Sequence, residues 1–84
     1  MIDVLYFASL REQLGCAQES FDTDPVLTRV GDLRQRLAAR GSQWSVLADT
    51  DHHLLVAVNQ QMADDSTLLS DGDEVAFFPP VTGG

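Results

Sequence analysis

Cysteine is nearly absent from this sequence: of 84 residues, only Cys16 is a cysteine. A single thiol cannot form a disulfide within the chain, which fits a reducing compartment, so we expect a cytoplasmic location. Long apolar runs are also missing, because the run at 54–58 is far shorter than the roughly 20 residues that span a bilayer. Asp3 and the lack of a basic stretch argue against a secretory signal. We therefore expect no membrane partner.

Basic residues are scarce, with 5 Lys and Arg against 13 Asp and Glu and a net charge of −8. Nucleic acid is therefore not expected as a partner, because phosphate binding needs a basic surface. The acidic residues are either solvated turns that keep the protein soluble or a surface that attracts a basic protein partner, and both interpretations stay open.

Neither a metal site nor an ATP site is predicted. Cys16 has no CxxC partner, and the adjacent His52 and His53 would point in opposite directions on a strand. Gly83 and Gly84 are not followed by a helix, so they do not form a phosphate-binding loop.

Apolar patterning predicts an α+β fold. We expect strands within 1–8, 18–21, 54–59, 62–63 and 74–78, and a main helix over 30–40. Ser9 has capping-box spacing for a short first helix, and Thr28 is the expected cap of the main helix. Gly31 should weaken that helix. The element order favours a mixed sheet with one main helix across one face and an extended C-terminal tail.

Turns and loop anchors complete the expected fold. Gln60 and Gln61 should turn the chain, and Leu68 and Leu69 should anchor the loop that follows. Asp71-Gly72-Asp73 is typical of a turn before the last strand.

Strand alternation predicts which side chains face the helix. If Ile2, Val4 and Tyr6 point inward with Phe77, then Phe7 and Phe78 point outward. The alternative, that Phe7 or Phe78 is a core residue, stays open at this point.

The sequence ends in Gly83-Gly84, directly after Phe77-Phe78-Pro79-Pro80 and Val81-Thr82. We expect a domain over 1–78 and an extended tail over 79–84, stiffened at its base by two prolines and reaching roughly 20 Å. Glycine has no side chain, so this tip could enter a narrow channel. The α-carboxylate of Gly84 would be ionised and a poor electrophile, so another protein would have to activate it.

The segment 71–84 closely resembles the C-terminus of the small, sulfur-carrier subunits of molybdopterin synthase. Segments 4–8, 10–12 and 56–59 are similar to the opening and the middle strand of that family, so the resemblance spans the chain. It implies a ubiquitin-like β-grasp fold. It also implies a non-catalytic carrier, because the active site lies on the large subunit of the synthase.

The resemblance implies a reaction cycle at Gly84. An E1-like adenylating enzyme would use ATP to form a transient glycyl-AMP, and sulfur from a persulfide donor would replace AMP to give a thiocarboxylate. The tail would then enter the large subunit and donate its sulfur to precursor Z (cyclic pyranopterin monophosphate). Two donations would make the dithiolene of molybdopterin, with no cofactor permanently bound to the carrier.

The resemblance also implies contact residues and an assembly of two carriers on a large-subunit dimer. Gly83 would accompany Gly84 into the active site. The residues implied to contact the large subunit or the activating enzyme are Phe7, Arg11, Met62, Phe78, Pro79, Pro80, Val81 and Thr82.

Three other interpretations of the Gly-Gly ending stay open. The chain could carry sulfur for another pathway, such as thiamine thiazole synthesis. It could be a ubiquitin-like modifier that is ligated to lysines of other proteins. It could also be an interaction domain with an incidental tail.

Overall fold

A computed structural model describes residues 1–22, 28–48 and 54–80 of the chain. The sheet contains β1 (Ile2–Tyr6), β2 (Gln18–Phe21), β3 (Leu55–Val58), β4 (Gln61–Ala63) and β5 (Glu74–Phe78). The helical elements are α1 (Ala8–Leu14), α2 (Val30–Ala38) and a 3₁₀ helix (Ser42–Ala48). The predicted elements are thus confirmed, with α2 ending two residues early.

The five strands form one mixed sheet in the order β2-β1-β5-β3-β4. β1 and β5 are parallel, and the other neighbouring pairs are antiparallel. Asp3 pairs with Glu74 and Tyr6 with Phe77 in the central parallel pair. The predicted mixed sheet of an α+β fold is confirmed.

The core lies between one face of the sheet and the helices, and we call this the inner face. Every second residue of the three central strands points into it, as strand alternation requires. The buried residues of this face are Ile2, Val4, Tyr6, Val56, Val58, Val75 and Phe77. From the helical side, α2 contributes Val30, Leu33 and Leu37, and α1 contributes Leu10 and Leu14. The prediction that the main helix covers one face is confirmed.

The start of α2 is organised by Asp32 rather than by a Thr28 cap. The N-cap residue is Arg29, and the Asp32 carboxylate accepts hydrogen bonds from the backbone N–H of Arg29 (3.0 Å) and the hydroxyl of Thr28 (2.9 Å). The Thr28 hydroxyl and then the Arg29 N–H hold the pKa of Asp32 below its ordinary value. The predicted cap was wrong by one residue. The N–H groups of Val30 and Gly31, which a Thr28 cap would have served, donate to the carbonyls of Thr67 and Asp65 instead.

Gly31 allows the segment after β4 to cross α2 closely. Its N–H donates to the carbonyl of Asp65 at 2.9 Å, and a Cβ at position 31 would lie 3.2 Å from the same oxygen. This close backbone contact explains why glycine, a weak helix former, occupies position 31 of α2.

Of the two predicted loop anchors, Leu69 packs against the core. The prediction for Leu68 was wrong, since it is 63% exposed.

One predicted turn and one predicted helix cap are corrected. The β3–β4 turn is formed by Asn59 and Gln60, at φ 52° and 68°, and Gln61 already belongs to β4. Asn59 tolerates this left-handed conformation well, and its side chain is fixed by Asp73 (2.9 Å) and the N–H of Glu74 (3.0 Å). The predicted Ser9 capping box is absent from α1, whose N-cap is Phe7 without a side-chain cap.

Candidate docking surface

The face of the sheet opposite the core, here called the outer face, carries a row of apolar side chains. Leu5, Ala76, Ala57 and Met62 are cross-strand neighbours from β1 to β4. Leu55 and Phe78 form a second pair beside this row. Neighbours in register share one face of a sheet, so these side chains form a continuous apolar strip.

Phe7 extends the strip at the end of β1. Its N–H donates to the carbonyl of Phe77 at 3.2 Å, continuing the parallel pairing by one residue. Phe7 is 45% exposed and Met62 is 64% exposed, while Phe78 is partly buried. The predicted strand phase is therefore confirmed, and neither Phe7 nor Phe78 is a core residue. Grouped exposed apolar side chains are typical of a partner site.

One end of the apolar strip, at Phe7 and Phe78, lies where β5 ends. Because β1 and β5 are parallel, their carboxyl ends meet at the same end of the sheet, and Phe7 and Phe78 lie there side by side. Pro79 and Pro80 follow directly and are the last residues described. The other predicted tail residues, Val81, Thr82, Gly83 and Gly84, lie outside the described residues. The division into a domain over 1–78 and a tail over 79–84 thus stays a prediction.

Arg11 lies one helical turn beyond Phe7. Its N–H donates to the carbonyl of Phe7 at 3.3 Å, in the first turn of α1, and Arg11 is exposed. The structure therefore brings Phe7, Phe78 and Arg11 to the same end of the sheet, where β1 and β5 finish. Met62 lies across the outer face on edge strand β4.

The opposite end of the outer face is acidic. Asp3 and Glu74 are direct neighbours on β1 and β5, and the Ser20 hydroxyl donates to Asp3 at 2.7 Å. Like charges side by side are unfavourable, so this end of the face would favour a basic surface opposite it. The outer face is therefore apolar where β5 ends and acidic where β5 begins.

Sequence reasoning missed a polar cluster on the core side of the sheet. The Tyr6 hydroxyl donates to Glu19 at 2.8 Å, and Arg40 donates to both carboxylate oxygens of Glu19 at 2.8 and 3.0 Å. The Arg40 guanidinium lies over the rings of Trp44 (4.5 Å) and Phe21 (5.4 Å). The available signal was Tyr6 itself, because an inward tyrosine needs a hydrogen-bond partner for its hydroxyl.

The cluster shifts the ionisation of its members. Burial, and then the hydrogen bond to Glu19, raise the pKa of Tyr6. Burial alone would raise the pKa of Glu19, but the hydrogen bonds from Arg40 and Tyr6 outweigh it, so the Glu19 pKa lies below its ordinary value. The cluster therefore acts as a charged clamp that joins β1 and β2 to the residues that follow α2.

Residues 1–22, 28–48 and 54–80 contain neither a metal-ligand cluster nor a membrane-spanning helix. No group of three or more potential metal ligands occurs there, and His52 and His53 lie outside these ranges. Within the same ranges, no helix is long and apolar enough to cross a membrane.

The fold belongs to the ubiquitin-like β-grasp class, as solved structures of the same fold show. The chain belongs to the ThiS family, whose model matches residues 4–84.

Known proteins resemble the chain over nearly its whole length. It is 49% identical to the molybdopterin synthase sulfur carrier subunit of Escherichia coli, with 100% of both chains covered. A putative molybdopterin converting factor, subunit 1, from Pyrococcus furiosus has a TM-score of 0.75 at 28% identity, covering 95% of this chain and 97% of that one. SAMP1, a small archaeal modifier protein from Haloferax volcanii, has a TM-score of 0.74 at 28% identity, with 99% and 98% covered.

Proposed function

We propose that this chain is the sulfur-carrier subunit of a molybdopterin synthase, with the Gly84 carboxylate as the sulfur-bearing group. The observation that carries the proposal is the apolar strip of the outer face, which is exposed at Phe7 and Met62 and reaches the end of β5, next to the base of a Gly-Gly sequence. A carrier needs both features, because it must dock on successive enzymes and insert its terminus into each active site. The similarity to the E. coli sulfur carrier subunit over all 84 residues supports the same function.

The chemistry begins with activation of Gly84. The carboxylate attacks the α-phosphate of ATP on an activating enzyme, giving glycyl-AMP and pyrophosphate. The terminal sulfur of a persulfide donor then displaces AMP, and a thiol cleaves the resulting S–S bond. The products are a Gly84 thiocarboxylate and a disulfide, so the thiol supplies the two electrons. The carrier supplies only the acyl group, since its carboxylate is unreactive without activation.

Transfer consumes the sulfur and regenerates the carboxylate. The thiocarboxylate sulfur is the nucleophile. In the active site of the large subunit it forms a C–S bond to a carbon of precursor Z while a C–O bond of that carbon breaks, and the oxygen leaves as water or stays on the opened cyclic phosphate. Water then hydrolyses the acyl–sulfur bond, which leaves the sulfur on the pterin and returns an oxygen to Gly84. Two carriers acting in turn complete the dithiolene.

The outer face provides the docking site for the large subunit and, by overlap, for the activating enzyme. Phe7, Phe78 and Met62 would be buried against an apolar patch of the partner, and Arg11 would contact it at the edge. The acidic end at Asp3 and Glu74 favours a basic rim on the same partner, because opposite charges steer association. A cytoplasmic location is part of this proposal, since the cycle depends on free thiols and persulfides.

The first test is the intact mass of the chain after incubation with ATP, an activating enzyme and a sulfur donor. We expect exchange of one oxygen for one sulfur, which fragmentation must place at Gly84 because oxidation of Met1 or Met62 adds nearly the same mass. A chain lacking Gly84 is the matched control, with the same fold and no sulfur uptake. Sulfur uptake by the control, or none by the parent with a competent activating enzyme, would contradict the proposal.

A second candidate function is ligation to lysines of other proteins, favoured by the similarity to SAMP1. Both functions begin with adenylation, so adenylation does not separate them. A modifier would accumulate as isopeptide-linked conjugates that survive reducing denaturation, whereas a carrier would be recovered as free chain after transfer to precursor Z. Electrophoresis of a tagged chain under reducing, denaturing conditions distinguishes the two outcomes.

A further inference from the structure

The chain carries its fixed positive charge as arginine alone. The sequence contains no lysine, and its five basic residues are Arg11, Arg29, Arg34, Arg36 and Arg40. The two cations differ in reactivity: a guanidinium stays protonated in proteins, whereas a lysine amine can lose its proton and attack acyl groups. The difference matters in a protein whose terminal carboxylate is activated, because an amine of the same chain could capture the acyl group.

Two arginines on the helical side are explained by their contacts. Arg40 donates to both carboxylate oxygens of Glu19. Arg34 donates to the carbonyl of Leu47 and to the carboxylate of Asp65, at 2.9 Å each. Each guanidinium uses two N–H groups in a planar geometry that an ammonium does not reproduce. These positions therefore need arginine for structural reasons.

Arg11 has no such contact. Within the part of the chain that the structure describes, its side chain takes part in no hydrogen bond or ion pair, and it is exposed. A lysine would also supply positive charge to the candidate docking surface. The contacts within the chain therefore do not explain why residue 11 is an arginine.

Arg11 lies close to the base of the tail. Phe7 and Phe78 lie side by side on strands about 4.8 Å apart, and Arg11 follows Phe7 by one helical turn, a rise of about 6 Å. The six residues that follow Phe78 can span up to roughly 20 Å. The chain beyond Phe78 is therefore long enough to bring Gly84 back to the side chain at position 11.

We propose that Arg11 determines the chemical specificity of the activated tail, because it provides positive charge for docking without providing an acyl acceptor. The inference rests on the proposed function, since only an activated Gly84 can be captured. With a lysine at position 11, its amine would form a C–N bond to the Gly84 carbonyl carbon of glycyl-AMP. The acyl–oxygen bond would break, AMP would leave, and the amine would release a proton. Thiols do not cleave the resulting amide, so that carrier would be lost to sulfur transfer.

The test uses the full-length chain with Gly84 converted to a small-thiol thioester, which needs no activating enzyme. The parent is compared with Arg11→Lys and with the matched control Ser70→Lys. Ser70 is also exposed, but it lies before β5 begins, where its carbonyl accepts from the N–H of Asp73 at 3.1 Å. The control therefore places the same amine at the other end of β5, at least about 13 Å further along the strand.

Each thioester is incubated at low protein concentration and at about pH 8.5, where a small fraction of lysine amines is unprotonated. Treatment with thiol then removes all thioesters, and intact mass with fragmentation counts and locates the remaining amides. We expect no side-chain amide in the parent. In Arg11→Lys, an amide between residues 11 and 84 should form at least about threefold faster than the amide at position 70 in the control, because the effective concentration falls with distance. A side-chain amide in the parent, or equal rates in the two variants, would overturn the inference.

Sulfur uptake separates this inference from the proposed function. With ATP, an activating enzyme and a sulfur donor, Arg11→Lys should form less thiocarboxylate than the parent and accumulate the amide, whereas Ser70→Lys should match the parent. If the parent takes up sulfur and Arg11→Lys forms no amide, the proposed function stands and Arg11 has no role in specificity. If the parent takes up no sulfur, the proposed function fails and the role of Arg11 fails with it.

Discussion

The two faces of the sheet are built from the same strands and differ in what covers them. On the inner face, Tyr6 and Phe77 are almost completely buried under the helices. On the outer face, their chain neighbours Phe7 and Phe78 remain exposed or partly buried in the isolated chain. Strand alternation thus assigns adjacent aromatic residues to different places: the inner one to the core and the outer one to the proposed docking surface.

The largest expected effect on this comparison comes from the inner face. Phe77→Ala should lower the free energy of unfolding by about 3–5 kcal/mol, because it removes a fully buried ring and leaves a cavity beside Tyr6. Urea denaturation measures this without any partner. A loss below about 1 kcal/mol would show that Phe77 contributes little to the core and would break the proposed division between the faces.

Phe78→Ala is the matched change on the outer face. It should weaken binding to the large synthase subunit by about 2–4 kcal/mol if Phe78 is an anchor residue. The free energy of unfolding should change much less than in Phe77→Ala, because Phe78 is only partly buried. Calorimetry on the folded variant provides the affinity. Unchanged affinity would remove Phe78 from the docking surface.

The Glu19 clamp gives the stability of the inner side a dependence on pH. Glu19 has a lower pKa in the folded chain, so the stability it contributes is present above its unfolded pKa and is lost as the pH falls through the folded value. Glu19→Gln should cost about 1 kcal/mol at pH 7. The difference from the parent should shrink below about pH 4. Denaturation at pH 7 and pH 3 measures both differences, and an equal gap at the two pH values would contradict the assignment.

The smallest expected effect compares two exposed apolar residues. Met62 lies on the outer face and Leu68 lies outside the sheet strands, and their exposures are nearly equal at 64% and 63%. Met62→Ala should weaken binding to the large subunit by about 1 kcal/mol, and Leu68→Ala should leave it unchanged. If both variants bind alike, exposure alone does not define the surface and its boundary must be redrawn.

Most of the fold was predictable because apolar periodicity is a local signal. The strand phase of Tyr6-Phe7 and Phe77-Phe78 follows from alternation, and it places the outer apolar strip correctly. The features that the sequence did not predict or explain depend on contacts between distant segments. Gly31 is explained by the carbonyl of Asp65, and the position of Asn59 in its turn is supported by Asp73. Such contacts leave no periodic pattern in the sequence.

The candidate site also combines residues that were inferred from the sequence with features that the sequence did not indicate. The roles of Gly83 and Gly84 were inferred from their composition and from a family resemblance, and no described residue tests them. The positive φ of Ala8, at 55°, had no signal in the sequence, because alanine is not typical of positive φ. The partnership of Glu19 with Arg40 also had none, since long-range ion pairs follow from the packing of α2 on the sheet.

The parallel pairing of β1 with β5 has a consequence for the timing of synthesis. Phe7 leaves the ribosome early, but its neighbour Phe78 belongs to the last strand of the sheet, and nearly all of the sequence separates the two. Contacts between such distant segments form late in folding. A nascent or half-folded chain therefore presents no complete docking surface. If an activating enzyme recognises the surface formed by Phe7 and Phe78, as proposed above, it would adenylate only chains that have finished folding.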